Sequence, residues 1–271
     1  RGFAMDLAFC SFSSGSSGNG YFVKSDNTNI LVEVGLSCVK IFENLKLFDV
    51  QPYKITGVVL SHEHWDHSRS LNRTSEVTTH ASFYATKGTF ESLTEKTARI
   101  DPERMKIIRS GDTFMIGEVQ VSAFSLSHDA AEPVGFSFQR NGKKISIVTD
   151  TGCVTDEIRE AVKGSDLLVV EANHEENILL YGKYPYDLKR RILGDKGHLS
   201  NEAAAKCISD FLKTTDKKRI PRVLLAHMSQ ENNTPQQAML TVRNLLEEDG
   251  YYVGKDLLLD TLEKGIMTDL I

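Results

Sequence analysis

The chain has 271 residues and a mass of 30.3 kDa, with 40% hydrophobic and 25% charged residues, the balance of an ordinary globular protein. Its formal net charge is −5 and its pI is near 5.9, so any reading that involves a polyanion needs a local basic patch. No run of about 18 apolar residues occurs, which argues against a membrane span, and no membrane is expected among the partners. Arg1-Gly-Phe-Ala-Met5 lacks the apolar core of a signal peptide. Met5 reads as the natural start, with Arg1 to Ala4 left over from expression. Cys10, Cys38, Cys153 and Cys207 are far apart and include no C-x-x-C. They read as reduced small hydrophobes in a cytoplasmic protein, neither a disulfide frame nor a thiolate metal site.

In chain order, Leu7 to Phe12, Tyr21 to Val23 and Asn29 to Glu33 read as strands of a meander, with turns at the Gly, Ser and Asn clusters. Val39 to Phe48 has a helical period, and Pro52 ends it. Thr56-Gly-Val-Val-Leu-Ser61 is a short buried strand. Ser68 to Ser75 reads as a polar stretch, Val77 to His80 as a strand and Ser82 to Thr94 as a helix. Met105 to Ile108, Thr113 to Ile116 and Val119 to His128 are strands. In the last of these the apolar parity switches, which predicts a bulge or burial of both faces. Val134 to Gln139 and Lys144 to Thr149 form a hairpin around Asn141-Gly142. Thr155 to Lys163 is a helix and Asp166 to Glu171 a strand. Ser200 caps a helix running to Leu212. Arg222 to Ala226 is a strand, Thr234 caps a helix with Pro235 at its first position, and Asp256 to Leu259 is a last strand. No composition break, repeat or linker divides the chain, so residues 5–271 read as one α/β domain.

The sequence is organised around His62-Glu63-His64-Trp65-Asp66-His67, which holds three of the chain's eight histidines. Three imidazoles and a carboxylate in six residues are costly in a core, but they suit borderline divalent metals. In extended chain His62 and His64 point to the same side, and Asp66 and His67 fall on the turn that opens a short helix. Four more metal-competent residues end apolar strands: His128, Asp150, Glu171 and His227. With the cluster they complete two sets. His62, His64 and His128 bind one ion, Asp66, His67 and His227 the second, and Asp150 bridges. Two such ions clamp a hydroxide and lower its pKa to about 7, giving a hydrolytic nucleophile without Ser or Cys. Zinc or manganese fits this donor set, and iron is also accepted.

The order His-x-His-x-Asp-His, then His128, Asp150 and His227, resembles the metallo-β-lactamase superfamily over nearly the whole chain. The resemblance implies a four-layer αββα sandwich. It also implies that Asp66 both ligates metal and orients the attacking hydroxide. Where that family has an Asp ahead of the first helix, Leu31-Val-Glu33-Val-Gly35 has Glu33. Four local segments narrow the match: Ser14-Gly-Ser-Ser-Gly-Asn19, Ser127-His-Asp-Ala-Ala-Glu-Pro133, Glu171-Ala-Asn-His174 and Lys189-Arg-Arg-Ile-Leu-Gly-Asp-Lys-Gly-His-Leu-Ser200. Together they resemble the YycJ (WalJ) family of exonuclease-like bacterial proteins. That resemblance implies a DNA exonuclease acting 5′ to 3′, without a long inserted second domain. It makes His198 the residue that contacts the scissile phosphate, with Asn19, Asn173, Arg191 and Lys196 also on the substrate.

Lys183, Lys189, Arg190, Arg191 and Lys196 supply the local basic patch that a nucleic-acid reading requires, and Tyr181, Tyr184 and Tyr186 interleave with it. A phosphodiesterase acting on nucleic acid, DNA ahead of RNA, is therefore the leading reading. A ribonuclease, a small thioester or lactam hydrolase using the same seven ligands, and a non-enzymatic metal-bound regulator are the alternatives. The oligomeric state is not legible.

Overall fold

The computed structural model describes residues 6–216 and 218–271. The expected start at Met5 and the leading residues 1–4 lie outside the described residues. The chain forms two compact units, each drawn from separate stretches: Ala130–Lys143 and Lys264–Ile271 join the N-terminal stretch to Phe124, while Ser125–Asp129 join Lys144–Glu263. Because the stretches interleave, no break in composition marks either unit.

The first unit holds β1 (Ala8–Ser13), β2 (Gly20–Lys24), β3 (Asn29–Val32), α1 (Cys38–Lys46), β4 (Gly57–Val59), α2 (Trp65–Ser68) and α3 (Leu71–Val77). It continues with β5 (Ser82–Thr86), α4 (Lys87–Ser92), α5 (Thr94–Thr97), β6 (Met105–Ile108), β7 (Thr113–Ile116), β8 (Val119–Ser125) and β9 (Val134–Arg140). Strands β1 to β6 form a sheet in chain order, antiparallel from β1 to β3 and parallel from β3 to β6. Every residue of β1, β3 and β4 is buried, which suits the short apolar runs Ile30 to Val32 and Val58-Val59. A core from Cys10, Phe12 and Phe22 through Leu31, Ile41, Leu45 and Val58 to Phe83 and Phe90 fills this unit. The C-terminal stretch returns along β1: Phe9 and Ile271 exchange two backbone hydrogen bonds of 2.8 Å, and Thr268 N–H donates to Ser11 O. That pairing covers the backbone of an edge strand.

The second unit holds β10 (Lys143–Val148), α6 (Asp156–Val162), β11 (Leu167–Glu171), α7 (Glu176–Tyr181), α8 (Tyr186–Leu193), α9 (Asn201–Lys213), β12 (Arg222–Ala226), α10 (Pro235–Glu248) and β13 (Leu258–Thr261). Its strands run parallel in the order β13-β12-β11-β10, the arrangement that strand–helix alternation favours. The caps expected at Ser200 and Thr234 form, their side chains accepting from Ala203 and Gln237 N–H, and Thr155 caps α6 by accepting from Ile158 N–H. Asn141 and Gly142 have φ of 48° and 78°, the left-handed pair that a tight hairpin turn requires. Among the described residues no helix is long and apolar enough to cross a membrane.

Three expectations are corrected. The polar stretch from Ser68 contains α3, and the strand expected at Val77 to His80 is its C-terminal end. The inward face of α3 consists of Leu71, Thr74 and Ser75, and buried hydroxyls leave no apolar period to read. The helix expected from Ser82 begins instead with β5, whose Phe83 and Ala85 are buried. The last strand lies two residues later than expected, at Leu258–Thr261.

Gly35 is the tightest backbone approach. A Cβ there would lie 1.6 Å from Asp66 O and 2.8 Å from Asn19 N. Gly35→Ala is expected to push the Asp66 turn away from β3 and lower stability by about 3 kcal/mol, at the upper end for overpacking. Urea unfolding followed by circular dichroism measures it, and a wild-type midpoint would contradict the approach.

Candidate active site

In the first unit the site grows from the ends of β3 and β4. Glu33 follows β3 with φ of 62°, a left-handed conformation rare for a residue with a Cβ. It folds the side chain back so that Glu33 Oε1 accepts from Ser61 N–H at 3.1 Å, while Oε2 lies 3.5 Å from His67 Nδ1. His62 and His67 are fully buried. Their ring centroids are 4.2 Å apart, and those of His62 and His64 are 4.5 Å apart. Ser61 Oγ sits 2.8 Å from His62 Nδ1. The turn carrying Asp66 and His67 is pinned to the sheet through backbone bonds from Asn19 N–H to Asp66 O and from Val34 N–H to His67 O, both 2.8 Å. Asn19 is buried. Its side-chain amide donates to Asp66 Oδ2 at 3.2 Å and lies 3.1 Å from His67 Nε2.

In the second unit the site grows from residues following β8, β10, β11 and β12. Asp150 and His227 both have left-handed backbones, with φ of 62° and 53°. His128 Nδ1 lies 3.0 Å from Gly197 O. A carbonyl only accepts, so Nδ1 carries the proton and Nε2 keeps its lone pair. Nε2 of His128 and of His227 lie 3.8 and 3.4 Å from Asp150 Oδ1. Burial pushes the His128 imidazole below its ordinary pKa against the opposing charge of Asp150.

Glu171 is fully buried. Its Oε1 accepts from His198 Nδ1 at 2.7 Å and His227 Nδ1 at 3.0 Å, and its Oε2 from Thr151 N–H at 3.0 Å and Leu199 N–H at 3.4 Å. Burial alone would raise its pKa, but the charge and hydrogen bonds of the two histidines hold it well below the usual carboxylate range. For His198, burial lowers the pKa, and the charge and hydrogen bond of Glu171 reverse it to a net rise. Asp150, Glu171, His198 and His227 offer ligand atoms all within 4.8 Å of one another.

Each unit thus gathers its own share of the predicted residues. His62, His64, Asp66 and His67 meet in the first, and His128, Asp150, His198 and His227 in the second. The donor set fits divalent ions: imidazoles of His62, His128 and His227 whose Nδ1 is held by a hydroxyl, a carbonyl or a carboxylate, beside carboxylate oxygens. The residues expected on substrate divide by exposure. Asn173 is buried and donates to His227 O at 2.9 Å, and Asn19 is engaged as above. Arg191, whose Nε donates to Asp129, and Lys196 are exposed. Tyr181 and Tyr186 are 88% and 73% exposed, which removes them from any core, and α8 has no buried residue. The ammonium of Lys189 donates to the carbonyls of Leu180 and Gly182, so it holds the α7–α8 turn. Glu171 is the functional residue that sequence reasoning left unassigned. Its strand-end position marked it as metal-competent, but nothing in the sequence shows which histidines it holds.

A family model described as a beta-lactamase superfamily domain matches residues 28–228. The exodeoxyribonuclease YycJ of Bacillus anthracis is 35% identical over 251 residues, covering 93% of this chain and 93% of its own length. The exodeoxyribonuclease WalJ of Streptococcus pneumoniae serotype 2 is 33% identical over 245 residues, covering 90% of this chain and 89% of its own length. Among solved structures, the metallo-beta-lactamase fold protein YhfI of Bacillus subtilis superposes with a TM-score of 0.69 at 15% identity, over 97% of this chain and 99% of its own. At that identity the likeness speaks to fold alone, and it bears out the expected mixed α/β fold.

His174, three residues beyond Glu171, is buried, and neither ring nitrogen has a hydrogen-bond partner among the described residues. Burial outweighs the charge of Glu171 and takes its pKa down to about 4. With the folded pKa below the unfolded value near 6.5, the unfolded chain binds the proton first. Stability is therefore full above about pH 6.5 and falls as pH drops towards 4, by ~3 kcal/mol from this group. His174→Leu is expected to flatten that part of the slope in urea midpoints measured across this range; an unaltered slope would contradict it.

Proposed function

We propose that this chain, a metal-dependent hydrolase that belongs to the beta-lactamase superfamily, cleaves phosphodiester bonds in DNA, degrading it from 5′ ends. The names of the two relatives support a DNA substrate. The observation that carries the reading within the site is the Glu171–His198 pair. It places a proton-bearing imidazole beside Asp150 and His227, two residues from the exposed ammonium of Lys196. A basic segment at such a position offsets the negative charge that a phosphodiester carries into its transition state.

His62, His64, Asp66 and His67 of the first unit and His128, Asp150 and His227 of the second would hold the divalent ions. Zinc and manganese both suit these donors. When bound, the ions supply Lewis acidity that lowers the pKa of water and offsets phosphate charge. The chain's own residues do the rest. Asp66, steadied by the Asn19 amide, orients the attacking water. His198, its Nδ1 held by Glu171, turns its remaining ring nitrogen to the phosphate and donates the proton that the leaving oxygen needs. Lys196 and Arg191 add positive charge around it. Asn19 and Asn173 keep Asp66, His67 and the His227 backbone in register. The four cysteines are free thiols, in keeping with a cytoplasmic address.

Asp66→Ala is expected to remove cleavage by orders of magnitude while the circular dichroism spectrum is kept, because a turn residue is lost and no core is disturbed. His198→Ala is expected to lower the single-turnover rate constant on end-labelled DNA by about 10²–10⁴-fold, with metal content and DNA affinity little changed. Parallel assays on RNA, a chromogenic lactam and a thioester separate the alternatives. An unchanged rate constant would remove His198 from the chemistry, and faster turnover of the lactam or thioester would overturn the DNA reading.

A further inference from the structure

Trp65 is the single tryptophan of the chain. It opens α2 between His64 and Asp66 and is 55% exposed. The rest of the same turn faces inward and is fixed. His67 and Ser68 are buried, Ser68 Oγ donates to Glu63 O or His64 O, and Lys96 Nζ donates to Ser68 Oγ at 2.8 Å. One helical turn beyond Trp65, the Arg69 guanidinium lies over the indole, with Cζ 4.6 Å from the ring centroid. Arg69 is exposed and makes no ion pair among the described residues. The outward face of a rigid turn therefore presents a large aromatic surface and an unneutralised planar cation, one residue from Asp66.

We infer that Trp65 and Arg69 form a stacking platform for the nucleotide beside the bond being cut. The base lies on the indole and its phosphate meets the guanidinium. This inference rests on the DNA-cleaving reading above. Every base has a π-face, so such a platform tolerates any sequence, and Arg adds cation–π attraction and phosphate affinity. Within a duplex the neighbouring pairs cover each base face and only the end pair leaves one open, so the platform favours single strands and frayed ends over blunt duplex. The aromatic fixes where the strand enters, and Asp66 acts on the adjoining phosphate. Trp65 is thus a positioning residue, and its loss weakens substrate capture more than it slows chemistry.

Because there is one tryptophan, the intrinsic fluorescence of the full-length chain reports on this position alone. The cleavage-deficient Asp66→Ala protein is titrated with single-stranded oligothymidylate and, separately, with blunt duplex DNA. In the otherwise wild-type enzyme, Trp65→Leu, Trp65→Phe and Arg69→Ala are assayed for KM and kcat on the single strand. Saturable quenching is expected with the single strand and much weaker quenching with the duplex. Trp65→Leu is expected to raise KM about ten-fold or more with a far smaller fall in kcat, and Trp65→Phe to recover most of the loss. Arg69→Ala is expected to raise KM and flatten its dependence on salt. A wild type that cleaves DNA while the tryptophan signal of the titrated Asp66→Ala protein stays unmoved, or while Trp65→Leu keeps the wild-type KM, overturns the platform alone. A wild type that neither binds nor cleaves DNA overturns the reading of function, and the platform with it.

Discussion

The site in the second unit depends on one buried carboxylate. Glu171 has no exposed surface, and an ionised carboxylate in that position is costly unless its lone pairs are used. Four donors use them: the Nδ1 atoms of His198 and His227 and the backbone N–H groups of Thr151 and Leu199. Thr151 adjoins Asp150, and Leu199 adjoins His198. A single side chain therefore fixes the tautomer of two imidazoles and the backbone beside two functional residues. The opposing pKa shifts of Glu171 and His198 are one interaction seen from its two ends.

The first unit solves the same problem with backbone. Gly35 lets the turn bearing Asp66 come against β3, and Asn19 ties that turn with main-chain and side-chain bonds. Glu33, on a left-handed backbone, reaches both Ser61 N–H and the neighbourhood of His67 Nδ1. Left-handed φ values at Glu33, Asp150 and His227 place local strain at the strand ends where the candidate ligands gather, as is common at functional sites.

Legibility in the sequence followed how local each signal was. The His62–His67 cluster and the helix caps at Ser200 and Thr234 are written in a few adjacent residues, and they stand where the sequence predicts. Helix α3 was hidden because its inward face is Leu71 with two hydroxyl residues, and β5 because its alternation is short and runs straight into a helix. The role of Glu171 was illegible for a different reason: its partners lie between 20 and 56 positions away, and only the fold brings them together. The interleaving of the two units left no mark on composition. The exposure of Tyr181, Tyr186 and Trp65 likewise could not be read from their apolar character.

The central claim is that hydrolysis of DNA by this chain runs on ions held by its histidines and carboxylates. Chelator-stripped protein titrated with zinc or manganese, while cleavage of end-labelled DNA is followed, tests it most directly. The account predicts that stripping abolishes cleavage and that activity returns to a plateau at two ions per chain. Full cleavage by the stripped protein would contradict it.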